Sequence, residues 1–274
     1  MAHTSPRRMS HSYFRKAPVI TSLTNPKVKL VRALARRKER YATRQFVAEG
    51  VRLIEEAIKA NLVPAFVLYT AQIANDPRAH ALLERVRART PDVLEVSEAV
   101  MQASADTETP QGIVAVLPFI ELPLPTPPQF VLILDGVRDP GNVGAILRSA
   151  RAAGVDAVWF AAGSADPYNP KVVRAAMGAH FAVPLRVASW EQITEIAHAI
   201  PRVYLADARG DVVYARADWT HPVALIVGGE AAGASTVAQQ LATARVAIPM
   251  PGGAESLNAA MATTLLLFEA IRNS

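Results

Sequence analysis

FVLILDGVRDPGNVGAILRSARAAG (130–154) decides the fold. Its first five residues are apolar without alternation, the pattern of a strand buried on both faces. An Asp- and Gly-rich turn follows, and 143–153 then place apolar side chains at helical spacing. A buried strand that leads through a short turn into a helix is the repeating unit of a parallel sheet. The same alternation continues downstream. Strands are predicted over 157–161, 185–188, 203–206, 223–227 and 245–248. Helices are predicted over 169–178, 190–199, 235–242 and, last, about 257–271. The fold class is α/β, a mostly parallel sheet with helices on both faces, over residues 130–274.

Upstream of the deciding stretch, residues 118–129 hold prolines at 118, 123, 125, 127 and 128 and read as a stiff linker. Residues 45–117 alternate short strands (46–48, 65–69, 93–96, 113–117) with helices (51–60, 79–89, 98–104), a small α/β unit. Residues 1–44 carry twelve Lys and Arg against one acid, Glu39, while the remainder carries 17 basic and 23 acidic residues. A basic arm on an acidic body points to a polyanionic partner. Residues 1–17 are polar and expected to be mobile. Within 27–38, Val28, Val31, Leu34 and Ala35 recur at helical spacing among Lys and Arg. One amphipathic basic helix is expected there, capped from 22–25 and begun at Pro26.

Ligands of parallel sheets sit beyond the strand C-termini. Three loops there can carry chemistry. The first, 135–142, leads into a helix carrying Asn142, Gly144 and Arg148. It suits a phosphate or ribose, and equally a solvent-facing arginine on a capped helix. The second, VGGEAAG (227–233), puts Gly228, Gly229 and Gly233 around Glu230, whose carboxylate can accept bonds from ribose hydroxyls or from a cap N–H. The third, 249–256, ends at Ser256, a candidate N-cap, with Asn258 in the first turn of a helix expected to be buried over much of its surface.

The exclusions are sharp. The chain has no cysteine, which removes disulfides, thiolate metal sites and cysteine nucleophiles. The six histidines lack metal-ligand spacing, so no metal is expected. No apolar run reaches 18 residues, and the first residues lack a secretory apolar core. A soluble cytoplasmic protein is expected, with no membrane partner. G-x-G-x-x-G is absent, which argues against a dehydrogenase.

Together the three loops resemble the SpoU/TrmH family of RNA ribose 2'-O-methyltransferases, in the SPOUT superfamily. The resemblance rests on N-x-G-x-x-x-R (Asn142, Gly144, Arg148), G-x-E-x-x-G (Gly228 or Gly229, Glu230, Gly233) and I-P-M…S-L-N (Ile248, Pro249, Met250, Ser256, Leu257, Asn258). ITSLTNPKVKLVRAL (20–34) and FVAEGVRLIEEA (46–57) are similar to members acting on large-subunit rRNA. The chain departs from the family's commoner G-S-E-G loop at Gly229 and Ala231, and at Ala260.

The resemblance implies a catalytic domain over 130–274 with a deep trefoil knot made by segments spanning roughly 223–267, and an L30e-like substrate-binding unit in 45–117. It implies S-adenosylmethionine as cofactor, held by Val227, Gly228, Gly229, Gly233, Ile248, Pro249, Met250, Leu257 and Ala259. It implies a homodimer and an RNA substrate, large-subunit rRNA ahead of tRNA; a non-catalytic rRNA-binding or assembly protein is the other alternative. The catalytic set it implies is Arg148 foremost, with Asn142, Glu230, Ser256 and Asn258.

Overall fold

The computed structural model describes residues 18–230 and 233–272, so residues 1–17 of the basic arm lie outside it. Two sheets organise the chain. The first has four strands, β1 (Gln45–Glu49), β2 (Phe66–Tyr69), β3 (Val93–Glu95) and β4 (Ile113–Pro118), in the order β1-β4-β2-β3. Six helices serve it: α1 (Pro26–Ala33), α2 (Arg37–Thr43), α3 (Val51–Lys59), α4 (Ala71–Ala74), α5 (Pro77–Arg87) and α6 (Glu98–Ser104). The unbroken apolar run of β4 is explained by burial on both faces. Ile113, Ala115 and Leu117 join the core under α3 and α5, while Val114 and Val116 join the one under α1 and α6.

The expected single basic helix is two. α1 starts as predicted, with Asn25 accepting from the Lys27 N–H at 2.9 Å and Pro26 at its first position. It ends at Ala33, because the Arg40 guanidinium takes the carbonyls of Leu34 and Ala35 at 2.8 and 2.7 Å. Those carbonyls would otherwise seek helical donors. Val28, Val31 and Leu34 are buried on the small sheet, and Ile20 bridges Val96. Residues 20–34 are therefore part of this layer rather than a detached arm.

The second sheet holds β5 (Phe130–Asp135), β6 (Ala157–Phe160), β7 (Leu185–Val187), β8 (Arg202–Ala206), β9 (Val212–Val213), β10 (Val223–Gly228) and β11 (Ala244–Ala247). Their order is β7-β6-β5-β10-β8-β11-β9, and every neighbouring pair is parallel. Helices α7 (Pro140–Ala152), α8 (Pro170–Ala176) and α11 (Ala259–Arg272) pack on the face formed by Phe130, Leu132 and Leu134. Helices α9 (Trp190–Ala197) and α10 (Thr236–Leu241) cover the opposite face, with Val131 and Ile133. Strand β9 and helix α4 are additions to the predicted elements; two and four residues are too few to show a period.

Strand β11 lies between β8 and β9, so the chain joining β8 to β9 must pass over it. Gly210 makes that crossing. A Cβ there would stand 2.7 Å from the Arg245 carbonyl oxygen.

The final helix differs from expectation in two ways. It begins at Ala259, and Asn258 rather than Ser256 caps it, accepting from the N–H groups of Ala260 and Met261 at 2.9 and 3.3 Å. Its inner face (Ala260, Thr263, Leu266, Leu267, Ala270) is buried, but Met261, Leu265 and Phe268 are 60%, 43% and 45% exposed.

Candidate active site

The C-terminal ends of β5, β8, β10 and β11 converge. Asp139 caps α7 by accepting from the Asn142 N–H at 2.7 Å, so the helix starts at Pro140, ahead of the predicted position. This cap fixes Asn142 in the first turn, aimed at the second loop. The Asn142 amide donates to Glu230 Oε1 at 2.6 Å, and the Asn258 amide donates to Asn142 Oδ1 at 2.9 Å. One chain of side-chain hydrogen bonds, Asn258 to Asn142 to Glu230, therefore joins residues from all three predicted loops. Asn258 is exposed rather than buried, and its partners are the cap and this chain. Beneath the loops, buried Asp135 accepts from the Ser235 N–H at 2.6 Å, holding β5 to the start of α10.

The glycines set the backbone spacing. A Cβ at Gly229 would stand 2.3 Å from the Gly136 carbonyl oxygen, and one at Gly228 would stand 2.7 Å from the Ala234 nitrogen. Gly144 serves packing instead of a ligand: a Cβ there would fall 2.3 Å from Ala175 Cβ on α8.

The second and third loops, with the ends of β8 and β11, line a cavity of about 470 Å³. Of the predicted cofactor residues, Val227, Gly228, Gly229, Gly233, Ile248, Met250, Leu257 and Ala259 line it; Pro249 does not. Glu230 and Ser256 also reach it. Asn142 and Asn258 stand outside, linked to it through Glu230. Arg148 is exposed on α7, and no hydrogen bond or ion pair of its side chain occurs among the described residues. Six residues at about 100° each carry it some 240° around the helix from Asn142, and it is not among the residues that line the cavity of its own chain. Sequence reasoning missed Asp207, Arg209, Gln239 and Arg245 in the cavity wall, where Arg245 lies 3.6 Å from Asp207. The signal was present: ADARGD (206–211) follows a strand, and the rule about strand C-termini applied to it as well.

The cavity's chemistry is divided. Val227, Ile248, Leu257 and Leu266 give apolar walls, and Glu230, Asp207, Arg209, Gln239, Arg245 and Ser256 give hydrogen-bonding edges of both charges. Such a pocket suits a ligand with one flat apolar part and one polar, charged part.

This sheet order and these three loops define an α/β methyltransferase of the trefoil-knot type. The chain belongs to the SpoU rRNA methylase family, whose model matches residues 129–268, and an MRM3-like substrate binding domain matches residues 25–115. It is 35% identical over 257 residues to the Bacillus subtilis 23S rRNA (guanosine(2553)-2'-O)-methyltransferase RlmP, covering 91% of this chain and 97% of the relative. It is 34% identical to a 23S rRNA (uridine(2479)-2'-O)-methyltransferase of Streptomyces viridochromogenes, over 87% of this chain and 86% of that one. Its fold is similar to that of an AdoMet-bound rRNA methyltransferase from Sinorhizobium meliloti, with a TM-score of 0.82 and 35% identity over 93% and 98% of the two chains.

Proposed function

We propose that this protein transfers the methyl group of S-adenosylmethionine to a ribose 2'-hydroxyl of RNA, with large-subunit rRNA as the substrate and the cytoplasm as its setting. The observation that carries the reading is the hydrogen-bonded chain Asn258–Asn142–Glu230 at the mouth of a cavity with apolar walls and polar edges of both charges. The cavity's size and donor set fit the cofactor. The apolar walls suit adenine, and the carboxylates of Glu230 and Asp207 suit ribose hydroxyls and an ammonium.

When bound, the cofactor supplies an already activated methyl on a sulfonium. The protein must align the ribose oxygen with that methyl and ease loss of its proton. Asn142, Glu230, Ser256 and Asn258 orient the loops and the substrate. Arg148 stabilises negative charge developing on the ribose oxygen, a task for a fixed guanidinium.

Arg148 does not line the cavity of its own chain, so the proposed site is completed by a second copy. Ser149 beside it bonds Thr264 of α11 at 2.6 Å, next to the exposed stripe of Met261, Leu265 and Phe268. A two-fold homodimer covers that stripe and brings Arg148 to the partner's cavity. Residues 45–117, with α1 and α2 docked on them, serve as the RNA-binding unit. Residues 118–129 link it to the catalytic unit, 130–274. Among the described residues no helix is long and apolar enough to cross a membrane.

The test is methyl transfer from radiolabelled S-adenosylmethionine to unmodified large-subunit rRNA, followed by alkaline hydrolysis. The expected product is one hydrolysis-resistant dinucleotide, the mark of a 2'-O-methyl group. Absence of transfer, or label on a base, overturns the reading.

A further inference from the structure

Lys29, Arg32 and Arg36 lie at i, i+3 and i+7, and they line one shallow surface groove of about 320 Å³ with Ala33. Lys29 and Arg32 meet no acid among the described residues, and Arg36 has only Glu39 at 3.5 Å. A cationic groove left uncompensated on an otherwise acidic body is a surface for phosphates.

Within the packed seam between the two sheets, one buried guanidinium joins the end of this groove's helix directly to the catalytic unit. Arg40 is 2% exposed. Its Nη1 holds both carbonyls just past the end of α1, the groove's own helix. Its Nε donates at 3.1 Å to Asp166, and its Nη2 pairs with the same carboxylate. Asp166 lies in the loop after β6, on the edge of the sheet where the cofactor cavity opens. Its other oxygen accepts from the Tyr41 hydroxyl and the Tyr168 N–H, both at 3.1 Å. Tyr168 in turn stacks on Phe119 at 3.8 Å and packs into the small sheet's core with Val173 and Phe181. Buried ion pairs add little net stability over apolar side chains of the same shape, and their best-attested use is to fix geometry.

We infer that α1 and α2 form a rigid rail for the RNA phosphate backbone, and that the buried Arg40–Asp166 pair is the positioning element holding this rail at a set distance from the cofactor cavity. The inference rests on the RNA methyltransferase reading above. A charged tail would add affinity wherever it reached RNA. A rail adds affinity only in register with the site, so its contribution must depend on the lock.

The experiment is a double-mutant cycle on the full chain with large-subunit rRNA. The rail is altered by Lys29→Ala with Arg32→Ala. The lock is altered by Arg40→Met with Asp166→Leu, which leaves no buried charge alone, and separately by Arg40→Lys, which keeps charge but loses the planar fork. With the lock intact, the rail change should raise the KM for RNA about tenfold and lower the salt slope of binding by nearly two phosphate contacts. With either altered lock, the same rail change should cost about twofold or less, the sign of coupling rather than additivity. Affinity for S-adenosylmethionine should stay within about twofold throughout, reporting an intact fold. Equal tenfold losses in every background, or a lock variant with the parent's kcat/KM, overturn the inference. If the parent transfers no methyl at all, the function reading fails, while RNA-binding constants from the same cycle still decide the rail.

Discussion

The seam between the two sheets and the mouth of the cofactor cavity are built by opposite means. At the seam, the Arg40 guanidinium is almost wholly buried and engages Asp166 and two carbonyls, while Tyr168, Val173 and Phe181 of one unit complete the core of the other. At the cavity mouth, Asn142, Glu230 and Asn258 are partly or fully exposed and meet through two hydrogen bonds. The seam sets where things are. In the proposed function the mouth admits a cofactor and an RNA strand, which suits side chains that stay accessible and are held by the backbone rather than by burial. Side-chain changes at the mouth should therefore alter rate with little loss of fold, and changes at the seam should act through RNA placement or stability rather than on the chemical step.

The largest effect expected on the mouth's side is at Arg148. Arg148→Ala should slow single-turnover methyl transfer about 100- to 1,000-fold, the scale for removing one preorganised charge donor. The melting temperature and cofactor affinity should stay near the parent's, because the exposed Arg148 side chain makes no hydrogen bond or ion pair among the described residues. A rate within about threefold of the parent removes Arg148 from catalysis.

The contrast also explains what the sequence disclosed. The three loops were legible because each is local: a strand, a short turn with glycine, then a helix start, with chemistry-bearing residues a few positions apart. Eight of the nine residues expected at the cofactor line the cavity for that reason. The lock was illegible because Arg40 and Asp166 are 126 positions apart and neither belongs to a periodic pattern. The break between α1 and α2 was hidden by the same pair, since helical spacing runs on through Leu34 and Ala35 while a distant arginine takes the carbonyls. The cap of α11 went to Asn258 instead of Ser256 because only Asn258 also reaches Asn142. The threading of the sheet was available only through resemblance, as periodicity says nothing about which strand passes under which loop.

The seam's own test is acid. His180 is buried against Phe46 and Tyr168, and its Nε2–H donates to the Pro167 carbonyl at 2.7 Å. Its Nδ1 has no partner among the described residues. Burial holds the imidazole down to about 4, against an ordinary value of 6.5. The unfolded chain thus binds a proton between pH 6.5 and 4 that the folded chain refuses, so stability falls as pH falls through that window. The loss approaches roughly 3 kcal/mol and levels off below about pH 4. Urea denaturation at steps from about pH 7 to 4.5 should show it, and His180→Gln should flatten it. A slope unchanged by that substitution would assign the acid sensitivity elsewhere.

A smaller effect separates spacing from side-chain chemistry at the mouth. Gly229→Ala drives a Cβ to 2.3 Å from the Gly136 oxygen, where only backbone can yield. It should cost about 1–3 kcal/mol of stability, as overpacking does, and weaken cofactor binding. Gly252 lies in the third loop, and a Cβ there would meet nothing within 4 Å, so Gly252→Ala should leave both unchanged. Melting curves and calorimetric titration with S-adenosylmethionine compare the two. Equal behaviour would mean that the glycine spacing does not shape the cavity.

The smallest effect is the most discriminating, because Asn258 does two jobs with two ends of one amide. Its Oδ1 caps α11 and its Nδ2 donates to Asn142. Asn258→Asp keeps an acceptor at the cap, where the helix N-terminus favours a negative charge. It loses the donor and sets a carboxylate against the Asn142 oxygen, beside Glu230. Stability should hold or rise slightly, while the link worth about 0.5–1.5 kcal/mol is lost and the second and third loops separate. Methyl transfer should fall about tenfold with no matching drop in melting temperature. In an Asn142→Ala background the link is already gone, so the same substitution should cost little more, a coupling that a cycle measures directly. A variant that keeps the parent's rate as well as its stability would make Asn258 a cap alone, and the mouth of the cavity would then be held as the seam is, by structure rather than by a bonded chain.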